Sequence, residues 1–173
     1  PHTVSSPQYN SCAYTQKIVK FSRMMMPRGH EIIHYGHEES DLPCTEHVTV
    51  TDNDVLKKAY GDHDWRRKEF IHNIQDYANT TFVERTIPEI KKRVKPNDFI
   101  LCWWGIGHEA IAIEAEKMGG ICVEPGIGYC HGQFSKWRAY ESHCIRNIVE
   151  GNVIPQKWYS WVIPNYFDKD EFE

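Results

Sequence analysis

The densest chemistry in the chain lies in Val123-Glu124-Pro125-Gly126-Ile127-Gly128-Tyr129-Cys130-His131-Gly132. Glu124 closes an apolar run, and a carboxylate withdrawn from water must find a hydrogen-bond donor, a cation or a ligand. Gly126 and Gly128 allow a tight turn and a close approach of backbone to a bound group. The N–H groups of such a turn, with the positive end of a following helix, suit an anionic or hydroxyl-bearing ligand, and Tyr129 stands beside them. The spacing is not G-x-G-x-x-G, so the stretch carries no dinucleotide fingerprint.

Cys102-Trp103-Trp104-Gly105-Ile106-Gly107-His108-Glu109-Ala110 has a similar design. Two tryptophans close a strand-like run and two glycines bend the chain. His108 stands at a helix start, where it can serve as a base or as a hydrogen-bonding partner. An indole face beside polar groups suits the C–H face and hydroxyl rim of a sugar. Successive strand residues point to opposite faces, so at most one of the pair is a platform; Trp104, next to Gly105, is the candidate.

Two further loops offer ligands. Tyr35-Gly36-His37-Glu38-Glu39-Ser40-Asp41 supplies His37 and Glu39, or is simply a solvated acidic loop. Pro1-His2-Thr3-Val4-Ser5-Ser6 is hydroxyl-rich; it caps the following helix or holds an acceptor through His2, Thr3 and Ser5. His30-Glu31-Ile32-Ile33-His34 matches H-E-x-x-H, but Pro27 and Gly29 have just ended a helix, so the motif falls on a strand. There four residues span about 13 Å, too far for two imidazoles to share one zinc held at about 2 Å. No metal site is expected. Arg66, Arg67 and Lys68 read as a solvated helix face, and no G-x-S-x-G, P-loop or paired C-x-x-C pattern occurs.

These residues need elements to hold them. Ser11 is a candidate N-cap for a helix with apolar residues at Ile18, Phe21, Met24 and Met25, ended by Pro27 and Gly29. Residues 30–36 and 45–50 read as short strands, and residues 51–61 as a capped helix ending at Gly61. Residues 64–94 read as a long helical region, bent or broken near Pro88. Residues 98–104 have the continuous apolar pattern of a strand buried on both faces, and 121–126 repeat it. Residues 108–120 form a helix closed by glycine, residues 134–151 a single helix stopped by Gly151, and residues 158–164 a last strand.

Helices alternating with apolar strands define an α/β, Rossmann-like, doubly wound and mostly parallel sheet with helices on both faces. A strand should precede the loop at residues 1–11 in such a domain, so the first strand is expected to be missing from this numbering. The loops that enter strands are plain turns, whereas those that leave them carry the histidines, carboxylates, glycines and aromatics. Open α/β sheets bind ligands at that carboxyl edge.

At 173 residues the chain is one domain's worth, read as residues 1–163 with the start of a linker at 164–173. Its formal charge of −4 gives no basic field, so no nucleic acid is expected. No apolar run reaches the roughly 18 residues of a membrane span. The six cysteines include no C-x-x-C pair and read as reduced thiols of a cytoplasmic protein.

A resemblance adds to this reading. Arg28-Gly29-His30-Glu31-Ile32-Ile33-His34-Tyr35-Gly36 after a first helix, and above all Val162-Ile163-Pro164-Asn165-Tyr166-Phe167-Asp168 with Phe172 beyond, resemble the N-terminal half of a GT-B type, glycosyltransferase family 4-like enzyme. Glu124-Pro125-Gly126-Ile127-Gly128-Tyr129 and the W-x-x-x-E-S at Trp137–Ser142 are also similar to members of this kind. The family has a glycine where Tyr166 stands, and a glycine-rich first loop that residues 1–6 do not match. The resemblance implies the acceptor-side half of an enzyme that moves a sugar from a nucleotide-sugar to an acceptor hydroxyl. The Pro-Asn turn is then the exit toward a donor-binding domain on the same or a separate chain. It implies no cofactor on this half and no metal; Glu124 and His108 are the catalytic candidates. The alternatives are a free-standing sugar- or nucleotide-binding module, and a natural half-enzyme that pairs with a separate donor chain.

Overall fold

The computed structural model describes residues 4–9, 12–62, 73–151, 160–167 and 172. The chain divides into two compact units, Pro1–Glu89 with Tyr166–Glu173, and Ile90–Asn165.

In the first unit α1 spans Ala13–Met25 and passes into a 3-10 turn at Met26–Arg28, which Gly29 ends at φ 83°. The expected cap Ser11 lies outside the described residues. β1 (Ile33–His37) and β2 (Glu46–Thr51) pair in parallel, with Ile33 opposite Glu46 and His34 opposite His47. α2 (Asn53–Tyr60) starts where the Asp52 carboxylate accepts the Val55 N–H at 2.8 Å, and stops at Gly61. Such a cap contributes about 1 kcal/mol. α3 (Tyr77–Arg93) begins in the first unit, extends past Glu89, and is not broken at Pro88. The part of that helical reading at residues 64–72 falls outside the described residues. Val55 and Leu56 of α2 meet Val4, Tyr9 and Ala78 in the core of this unit. Each of the two aliphatic side chains, fully buried, contributes roughly 2 kcal/mol.

The second unit is built on a four-stranded sheet in the order β3 (Phe99–Leu101), β4 (Ile121–Ile127), β5 (Trp137–Tyr140), β6 (Ser160–Val162), every pairing parallel. α4 (Glu109–Lys117) connects β3 to β4, and its Ala112 carbonyl accepts the Cys122 thiol of β4. α5 (His143–Glu150) follows β5. The protein is thus α/β with two parallel sheets, the class to which Rossmann-like domains belong. Among the described residues no helix is long and apolar enough to cross a membrane.

Two expectations are corrected here. Residues 134–151 are not one helix: Trp137–Tyr140 form β5, and α5 begins only after Ser142, whose hydroxyl accepts the Ile145 N–H at 3.2 Å. The chain therefore crosses from β4 to β5 through an irregular loop, residues 128–136. Nor is β3 buried on both faces, since Phe99 is 68 % exposed. Among the described residues β3 ends its sheet, with a strand on one side only.

Candidate functional site

Because β3 to β6 are parallel, their carboxyl ends share one edge, and the loops at 102–108 and 128–136 leave from it. Glu124 sits on β4 just before that edge with 0 % exposure. The β4–β5 register slips between Glu124 and Ile127, around Pro125 and a Gly126 at φ 62°. Irregularities of this kind re-aim a side chain. One carboxylate oxygen, Oε2, accepts the Phe134 N–H at 3.0 Å and the Ser135 N–H at 2.8 Å, and lies 3.7 Å from Arg138 Nε. The other, Oε1, is buried and takes no hydrogen bond. Burial pushes the Glu124 pKa up; the N–H groups of Ser135 and Phe134, the Arg138 charge and the Tyr129 hydroxyl pull back against it. The outcome is a carboxylate held by backbone through one oxygen, with the other buried and the Tyr129 hydroxyl nearby.

The glycines explain how the two loops approach. Gly105 stands at φ 54°, and a Cβ there would lie 2.7 Å from the Tyr129 hydroxyl and 2.9 Å from the Gly132 carbonyl. The neighbouring Ile106 N–H donates to that carbonyl at 2.8 Å, stitching the loop after β3 to the loop after β4. Gly105→Ala is expected to cost about 1–2 kcal/mol through its left-handed backbone, with more from the displaced Tyr129. A urea-unfolding midpoint unchanged from wild type would contradict this packing. At Gly107 a Cβ would lie 2.3 Å from the Trp104 ring, so that indole rests on bare backbone. At Gly128 it would lie 2.6 Å from the Glu141 carboxylate.

Of the residues singled out from sequence, the structure joins Glu124, Tyr129 and Gly105 directly, with Gly126 at the end of β4, Gly128 in the loop after it and Trp104 in the loop after β3. His108 stands at the start of α4 on the same edge. Burial pushes its pKa down to about 3, so it is neutral at pH 7. A base works best with a pKa near the working pH, so His108 is a hydrogen-bonding partner and at most a weak base. The sequence reading missed Ser135, Arg138 and Glu141, all inside the stretch read as helix. The Ser142 cap was the available signal that a helix starts late.

In the first unit His2 and Thr3 lie outside the described residues. His37 is buried, and its Nδ1 accepts the Glu39 N–H at 3.1 Å. Glu39 accepts the Asn53 side-chain amide at 2.7 Å and Glu38 the Asn53 N–H at 3.0 Å, so both carboxylates hold the start of α2. Ser5 donates its N–H to the Ser40 hydroxyl at 3.2 Å, and its own hydroxyl lies 3.2 Å from His34 Nε2. The H-E-x-x-H motif ends inside β1, and His34 spends Nδ1 on His47.

Burial first, and His47 second, push the His34 pKa down to about 3. The unfolded chain, with an ordinary histidine near 6.5, binds a proton in that window and the folded chain does not. Stability therefore falls as pH drops from 6.5 toward 3. At pH 5 the loss from this one group approaches about 2 kcal/mol. Urea unfolding at pH 7.5 and pH 5 should show it, with a shallower dependence in His34→Gln.

Comparison of the chain with family models, with curated proteins and with solved structures finds no match to any of them.

Proposed function

We propose that the chain is the acceptor-side half of a GT-B type sugar transferase, and that Glu124 receives the acceptor hydroxyl. The observation that carries this reading is the asymmetric carboxylate at the sheet edge: Oε2 takes two backbone N–H groups, while Oε1 is buried, takes none of the backbone bonds and has the Tyr129 hydroxyl beside the carboxylate. An oxygen in that state favours a group that donates to it. A carboxylate whose pKa is raised is also a stronger base than one in water.

In this reading the acceptor O–H donates to Oε1. Its oxygen bonds the anomeric carbon, the bond from that carbon to the diphosphate breaks, and the proton stays on Glu124. Trp104 and Tyr129 supply aromatic surface and Glu141 a second carboxylate for sugar hydroxyls. The nucleotide-sugar belongs to the donor half, on the same or a separate chain. Two further features support the reading: the parallel α/β class, and the Ile163-Pro164-Asn165 stretch directly after β6.

Saturation-transfer NMR with a panel of mono- and disaccharides tests the acceptor site on this chain. Saturation of at least one sugar is expected, weakened in Glu124→Gln. No sugar signal at millimolar concentration would count against it. A binding module without catalysis would saturate equally, so turnover separates the two.

A further inference from the structure

The first unit holds a second cluster that the sugar-transfer reading does not use. Ser5 Oγ lies 3.2 Å from His34 Nε2, and His34 Nδ1 lies 3.0 Å from His47 Nδ1. The two imidazole planes are inclined by only 20°, with centroids 5.1 Å apart, the geometry of rings meeting edge to edge through one N–H···N bond. The fold builds this pair, since the parallel register sets His34 of β1 opposite His47 of β2. It also fixes the serine: the Ser5 N–H goes to Ser40 Oγ, and the Ser5 carbonyl accepts the Asp41 N–H at 2.9 Å. Ser5 and His34 are 6 % and 8 % exposed, and His47 Nε2 is buried without a hydrogen bond.

A hydroxyl on one imidazole nitrogen and an orienting acceptor on the other is the arrangement that activates a serine, whatever the fold and chain order. We propose that Ser5, His34 and His47 form a second chemical site: a serine nucleophile, its general base and the residue that positions the base. The site takes a small acyl group from an activated oxoester or thioester. In the required tautomer His34 donates Nδ1–H to His47 and presents a bare Nε2 to the Ser5 hydroxyl. Ser5 Oγ bonds the carbonyl carbon, and its proton passes to His34 Nε2. The bond to the leaving oxygen or sulfur breaks, and the leaving group takes that proton. Water then attacks the acyl-serine, giving its proton to His34, and the acid departs as Ser5 recovers the proton. His34 is neutral at pH 7, hence always in the accepting form, but it is a weak base. Slow, near-stoichiometric acylation is therefore expected instead of fast turnover.

The test uses the intact chain with a small fluorophosphonate and with p-nitrophenyl acetate. Peptide mapping should place the phosphonyl group on Ser5, and the ester should release a burst of about one equivalent of p-nitrophenolate, as an accumulating acyl-enzyme does. Ser5→Ala should abolish both. His34→Gln, folded by circular dichroism, should slow labelling by about 100-fold or more. His47→Phe should slow it while His47→Gln restores it, because an amide oxygen accepts from His34 Nδ1–H and a phenyl ring does not. Equal rates in wild type and His47→Phe would remove His47 from the array. If His34→Gln does not fold, the wild type alone decides. Labelling confined to Ser5 and lost in urea supports the proposal; labelling spread over the serines and unchanged in urea overturns it. An unmodified Ser5 in the folded protein overturns it as well.

Discussion

Glu124→Gln is expected to lower sugar transfer by about 10²- to 10⁴-fold, the usual contribution of a positioned acid or base, while the fold stays intact. Glutamine is the informative replacement because of how the side chain is held. Its amide oxygen can keep the N–H groups of Phe134 and Ser135, which fix the loop between β4 and β5. Its NH₂ takes the place of Oε1, the oxygen that holds no backbone N–H, and turns an acceptor of protons into a donor. Alanine would confuse the issue, since the Phe134 and Ser135 N–H groups would lose their partner at once. A Tm close to wild type with transfer gone supports the assignment. Transfer at the wild-type rate in Glu124→Gln would remove Glu124 from the chemistry, whatever its part in holding the loop.

The largest expected loss of stability comes from a different carboxylate. Glu150→Ala should cost about 3–5 kcal/mol, the range found when one partner of a buried ionic network is removed. Glu150 closes α5, and its side chain is only 5 % exposed. Its Oε1 accepts the Tyr140 hydroxyl at 2.8 Å and the Ser160 hydroxyl at 2.7 Å, joining the helix to β5 and β6. Arg138 and Arg146 each approach it at 3.9 Å. Truncation therefore leaves the Tyr140 and Ser160 hydroxyls without their acceptor and removes the anion between two partly buried guanidinium groups. Burial, with the Glu150 hydrogen bond next, also pushes the Tyr140 pKa up to about 12, so the phenol stays a donor throughout the working range. Ser160→Ala removes one hydroxyl from the same network and should cost only about 1 kcal/mol. Urea unfolding of both variants checks the ranking, and equal midpoints would contradict it.

How much of this was legible in the sequence depended on how local the cause was. α2 was legible because Asp52 caps it and Gly61 stops it within a few residues. β4 was legible as a single apolar run with its own glycine turn. β5 was not. Between Phe134 and Gly151 no glycine or proline interrupts the chain, and Trp137-Arg138-Ala139-Tyr140 is too short to show a period of two. What makes it a strand is pairing with β4, Val123 to Trp137 and Glu124 to Arg138, and no local pattern reports that. The candidate site shows the same split. Glu124, Tyr129 and the glycines lie in one stretch and stood out together. Ser135 and Arg138 reach Glu124 only because the loop returns, and Glu141 meets Gly128 only because β5 lies beside β4. The His34–His47 pair depends on strand register, which a single sequence does not display.

The measurement that bears most directly on the sugar-transfer reading uses the gene product at the length its own gene encodes, with a panel of nucleotide-sugars and hydroxyl acceptors. The quantity read is nucleoside diphosphate released, in wild type and in Glu124→Gln. The account predicts release from at least one donor, with product gaining the mass of one sugar, and a loss of about 100-fold or more in the variant. No release from any donor, or release unaffected by Glu124→Gln, would contradict it.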